Sequence, residues 1–123
     1  MTEIVPTPGR IVWYVLSAIN AEQINRRRAD ARSKMDWHVA LRSGAQVHVG
    51  NDVKAGDIYP MMIVKVWGDT PTCAVNGQVH LDGNDLFWAT SVSVGVGNGT
   101  YHWMPYQKGQ AAKTEALEKK LEG

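Results

Sequence analysis

Apolar positions in this chain fall into short blocks of period two, interrupted by one stretch of helical spacing near the start and another at the end. Arg10 to Leu16 is nearly continuous apolar, β-branched and aromatic sequence, bounded by Pro6, Pro8 and Gly9. That pattern predicts a strand covered on both faces. Ser17 reads as a helix N-cap, with Asn20 three residues on in place of the Glu or Gln of a full capping box. Ala21, Ile24, Arg28, Ala31 and Met35 then recur at spacings of three and four, predicting a helix over about 18–36 with a narrow inward stripe.

From Ser43 the period returns to two, with Val47 and Val49 alternating with Gln46 and His48. Tyr59-Pro60 leads into Met61 to Trp67, the best central-strand candidate. Asn76-Gly77 and Asp82-Gly83-Asn84-Asp85 read as two hairpin turns, because Asn-Gly and Asp-Gly supply the positive φ that tight turns require. They separate strands over 73–75, 78–81 and 86–92. A last strand over 100–104 follows the Gly95 to Gly99 turn, and Pro105 ends the sheet. Residues 110–121 are strong helix formers, with Glu115 four before Lys119.

The expected fold is mainly β within the α+β class: an antiparallel meander of five or six strands, with one helix after the first strand and a short C-terminal helix. Curling into a small barrel or a strongly bent sheet would protect its edges. Residues 1–109 then form a β-barrel-like domain with an inserted helix, and 110–123 a helical tail that frays or faces a partner.

Composition narrows the chemistry. The 123 residues suit one domain, and 44% hydrophobic content with a net charge of +1 disfavours a strongly basic nucleic-acid coat. Cys73 is the single cysteine, so no intrachain disulfide and no Cys-based zinc site is expected. No apolar run approaches membrane-spanning length, and Met1-Thr2-Glu3 lacks the basic start of a signal peptide, which points to a reducing cytoplasm. His38, His48, His80 and His102 have no metal-ligand spacing, and no nucleophile elbow, HExxH or phosphate loop is present. Gly95 to Gly99 lies between strands, whereas a phosphate cradle needs a helix N-terminus. The expectation is a protein that is not an enzyme and takes no metal or cofactor.

Three features invite a binding role. Arg26, Arg27 and Arg28 occupy successive helical positions with Arg28 on the inward stripe. They are either a solvated face answering Glu22 and Asp30, or a clamp for phosphate or carboxylate. An inward Arg28 paired with Asp82 or Asp85 would cancel that clamp. The Asp82-Gly83-Asn84-Asp85 string is a plain turn, a set of hydrogen-bonding groups for hydroxyls and exocyclic amines, or a Ca²⁺ site, the last disfavoured because an EF-hand loop needs a longer ligand series ending in Glu. Five Trp and four Tyr against one Phe is the third feature. Trp67, Trp88 and Trp103, on three strands, either fill a core or converge at one barrel end where a nucleobase stacks.

The strings Pro8-Gly9-Arg10-Ile11-Val12-Trp13-Tyr14-Val15-Leu16, Ile24-Asn25-Arg26-Arg27-Arg28, Ala55-Gly56-Asp57-Ile58-Tyr59-Pro60, Leu81-Asp82-Gly83-Asn84-Asp85 and His102-Trp103-Met104-Pro105 resemble a family of small proteins encoded by tailed bacteriophages and prophages. The resemblance covers roughly residues 8–108. It implies a phage origin and an accessory role in the host bacterial cytoplasm, one form of which is counter-defence by sequestering a nucleotide-derived signal. For that role the expected ligand site is Arg26, Arg27, Arg28, Asp82, Asn84, Asp85, Trp88 and Trp103, with arginines for phosphates and indoles for bases. The alternatives are a virion or assembly interaction protein and a single-stranded nucleic-acid-binding barrel, the latter disfavoured by the +1 charge. A nearly neutral surface rich in Trp and Met also predicts a homo-oligomer, with a symmetric dimer the commonest solution.

Overall fold

The protein is described here from a computed structural model over residues 3–34, 42 and 49–122, and among those residues one strand and one helix precede the meander. The elements are β1 (Ile11–Val15), α1 (Ala18–Ser33), β2 (Ile58–Val66), β3 (Val75–His80), β4 (Leu86–Val92), β5 (Tyr101–His102) and α2 (Pro105–Glu122). The strands form one antiparallel sheet in the order β4-β3-β2-β1-β5, which puts β2 at the centre. The mainly β, α+β meander expected from the sequence is therefore the fold. The sheet is open, with β4 and β5 as its two edges, and does not close into a barrel. The chain just past β4 does curl back to β5: Tyr101 N donates to Ser93 O at 3.0 Å and Gly95 N to Tyr101 O at 2.8 Å, one parallel bridge at Val94. That contact goes no further, because β5 pairs only Tyr101 and His102 with β1 and the chain turns into α2 at Pro105, which has no N–H to extend a ladder.

Alternation divides the sheet into two faces. Val12, Tyr14, Met61, Ile63, Val75, Val79, Ala89, Val92 and Tyr101 are buried in one core cluster with Leu16, Val53 and Leu81. Ala21 and Ile24 of α1 join the same cluster, so the helix contributes to the core on this inner side. The opposite, outer side of the sheet is different. Register places Ile11 beside Met62, Met62 beside Gln78 and Gln78 beside Trp88, and these side chains stand away from the core. The expectation that the first strand is covered on both faces thus holds at Val15 but not at Ile11, which is 39% exposed.

Asn20 completes the cap of α1 without help from Glu or Gln. Its backbone N–H donates to Ser17 Oγ at 3.1 Å, and its side-chain oxygen accepts from Ser17 N at 3.1 Å. The same oxygen accepts from the Tyr14 hydroxyl at 2.6 Å, fastening the helix start to β1. The inward stripe holds for Ala21, Ile24 and Arg28, whereas Ala31 is exposed. Met35, the end of the helix expected at 36, His38, and the alternating stretch through Gln46, Val47 and His48 lie outside the described residues.

Two turn readings had different outcomes. Asp82-Gly83-Asn84-Asp85 does join β3 to β4, whereas Asn76-Gly77 lies inside β3, paired on both sides. Asn76 Oδ1 accepts from Ser91 N at 2.7 Å and from the Trp67 indole N–H at 3.1 Å. The amide thereby holds a register shift in β4 at which Ser91 takes a φ of 51°. The last helix begins at Pro105, five residues before the expected start, with Gly109 inside it. Proline is well suited to a first helical position, and Gln107 closes the turn by accepting from Met104 N at 2.8 Å. Gln107 also donates to Ile11 O at 2.7 Å, tying α2 to β1. No residue of α2 is buried, and the expected Glu115–Lys119 pair forms at 3.3 Å.

Candidate functional site

Arg28 settles its own alternative. The residue is 2% exposed and donates to Asp85 Oδ1 at 3.0 Å, to the carbonyl of Asp82 at 3.4 Å and to the carbonyl of Asn51. Arg27 takes the other carboxylate oxygen of Asp85 at 2.6 Å and the Leu86 carbonyl at 3.2 Å. Two consecutive arginines thus grip one carboxylate, and the β3–β4 turn is clamped to α1. Asn51 adds a bond from its side-chain amide to Asp82 Oδ2 at 2.9 Å. One helical turn on, Arg32 reaches Asp52 at 2.9 Å and Gly50 O at 3.0 Å. Helix, turn and the 50–52 segment form one polar latch, and glycine at 50 leaves room for the Asp82 carbonyl and the Arg28 guanidinium.

The sequence-predicted set is divided by this arrangement. Arg27, Arg28, Asp82 and Asp85 come together, but toward one another. Arg26 faces away and pairs with Glu22 at 2.6 Å on the exposed side of the helix, the solvated-face alternative for that residue. Asn84 is exposed in the turn. Trp88 is 60% exposed on edge strand β4, whereas Trp103 follows the opposite edge strand and is buried in the core, with the Arg10 guanidinium 5.7 Å from its ring centroid. The expected convergence of Trp67, Trp88 and Trp103 at one barrel end is therefore absent, because the open sheet puts Trp88 and Trp103 at opposite edges. Sequence reasoning missed Asn51, Asp52 and Arg32; the i, i+4 spacing of Arg28 and Arg32 was the available signal.

Electrostatics follow the latch. Burial alone would raise the Asp85 pKa, yet the hydrogen bonds from Arg28 and Arg27 outweigh it and hold the carboxyl below its ordinary value. A depressed folded-state pKa contributes stability that is complete above the unfolded carboxylate value, about 4, and is lost as pH falls through the lower folded value. Urea midpoints measured on acidification are expected to drop in that window, and less steeply for Asp85→Asn. Equal slopes for both proteins would assign the loss to other carboxylates.

The outer face carries the largest exposed apolar side chains of the sheet. Ile58, Met62, Val64, Leu86, Trp67 and Trp88 are each at least 36% exposed. Trp67 is fixed there by its bond to Asn76, with Lys65 Nζ 4.7 Å from its ring centroid. Lys65 is the one Lys, Arg, Asp or Glu among the described strand positions of this face. A separate groove of about 680 Å³ between the N-terminal segment and α2, lined by Ile4, Arg10 and Tyr106 among others, contains none of the expected site residues.

Among the described residues no three His, Cys, Asp or Glu side chains gather as metal ligands, and no helix is long and apolar enough to cross a membrane. No protein-family model, curated protein or solved structure matches the chain.

Proposed function

We propose that this protein is a non-catalytic interaction protein whose working surface is the outer face of its sheet. The reading takes up the assembly alternative raised by the likeness to tailed-phage and prophage proteins, with the host bacterial cytoplasm as its setting. One observation carries it: the apolar side chains across β2 and β4 are exposed, while of the arginines that would have served a nucleotide Arg27 and Arg28 are engaged with Asp85 and backbone carbonyls and Arg26 with Glu22. Exposed apolar patches of this size on a folded chain mark sites of association. Sequestration of a nucleotide signal would have to run on Trp67, Trp88 and Lys65 without an arginine clamp. Aliphatic Ile58, Val64 and Leu86 beside those indoles suit a protein surface better than a base and its phosphates. The homo-oligomer expected from the sequence is one form such an interaction takes.

A photocrosslinking residue at Gln78, between Met62 and Trp88, tests this against the same residue at Arg26 on α1. The expected result is a protein adduct, with itself or another chain, at position 78 and none at 26. Equal yields at both positions would overturn the reading. So would saturable tryptophan quenching by a cyclic dinucleotide or trinucleotide that Trp88→Ala abolishes.

A further inference from the structure

The outer face has a shape, an area and a charge that select among partners. Register aligns Ile11, Met62, Gln78 and Trp88 in one row across four strands, with Ile58 and Leu86 on the same face. Ile58 is 50%, Leu86 46%, Val64 46%, Trp67 56% and Trp88 60% exposed, and together with Met62 they present on the order of 600 Å² of apolar surface. A stable interface needs about 800 Å² per partner, which the polar residues interleaved in these rows bring within reach.

Charge decides who the partner is. A symmetric contact places the same patch on both sides, so the patch must suit itself. A face with a cluster of one sign would repel its copy, and a face built for nucleic acid or an acidic surface would be basic. This one has Lys65 alone among its described strand positions, and that ammonium already lies over the Trp67 ring. Architecture agrees. With α1 contributing to the inner-side core, a second copy on the outer side yields helix, sheet, sheet, helix, in which each sheet is covered twice. Two copies of one sheet share one twist, so they pack at the roughly 30° of aligned sandwiches.

We infer that the outer face is the contact of a symmetric dimer, in which two copies of this chain pack sheet against sheet through Ile58, Met62, Leu86 and Trp88. This rests on the interaction reading above and names its partner.

Sedimentation equilibrium of the full chain tests it, with Trp88→Glu and Ile58→Lys as face variants and Arg26→Ala as a control on α1. The wild type and the control are expected at twice the chain mass. Each face variant should raise the dimer dissociation constant about 100-fold or more. Both altered side chains are at least half exposed, and an unchanged thermal midpoint of the monomer confirms that each variant is folded. A wild type that is monomeric across the concentration range overturns the dimer and leaves the interaction reading to its crosslinking test. A dimer indifferent to both face variants overturns the dimer geometry and, with it, the choice of this face.

Discussion

Asp85→Ala is expected to lower the unfolding free energy by about 3 kcal/mol, the low end of what removing one partner of a buried ion pair costs. Arg28 is nearly fully buried and its Nε has no hydrogen-bond partner, so loss of the carboxylate leaves the guanidinium with the Asn51 and Asp82 carbonyls alone. Against a total of about 5–15 kcal/mol for an ordinary domain, that is a large fraction. Arg27→Ala is the informative contrast. Its pair with Asp85 is the shorter of the two, 2.6 Å against 3.0 Å, but the side chain is 48% exposed, so the loss should stay within about 1 kcal/mol. Replacing the buried cation as well, in Arg28→Met/Asp85→Ala, should recover part of the loss, because an apolar side chain of similar reach leaves no charge to neutralise. Urea unfolding followed by tryptophan fluorescence measures all four proteins. An Asp85→Ala midpoint indistinguishable from wild type would mean that the guanidinium is hydrated and the latch carries no stability.

The latch also shows how far the sequence could be read. Arg28 falls on the α1 stripe with Ala21 and Ile24, so its burial was legible from spacing alone. Which acid would meet it was not, since Asp82 and Asp85 lie more than fifty residues away and only the folded turn decides between them. The central position of β2 was legible for a related reason: Met61 to Val66 is apolar on both faces but for Lys65. In an open single sheet that pattern leaves one face bare, so the signal for a central strand was equally a signal for an interaction surface. Trp88 and Trp103 were separated by the sheet order, which no local pattern carries. The α1 cap shows the opposite case, in which Ser17 and Asn20 are close enough in sequence to settle their geometry between themselves.

Asn76-Gly77 is where local chemistry and tertiary structure disagree, and there the second large effect is expected. The dipeptide has the residues of a tight turn, but glycine at 77 answers a different demand. A Cβ at this position would meet Met61 Cγ, lie 2.7 Å from Met61 Sδ and 2.8 Å from the Met62 carbonyl oxygen. Met61 is fully buried on the neighbouring strand, and the carbonyl belongs to the backbone of the central strand. Gly77→Ala should therefore cost about 2–3 kcal/mol, the range of an overpacked core, despite alanine's ordinary tolerance for strand geometry. Gly97→Ala, where a new Cβ has nothing within 4 Å, should be nearly neutral in the same urea assay. Met61→Ala removes the obstructing Cγ and Sδ at the cost of a cavity, so Gly77→Ala added to it should cost at least 1 kcal/mol less than in the wild type. Additive losses would place the strain at the Met62 carbonyl instead. The glycine would then be required by the close approach of two backbones rather than by the methionine packed between them.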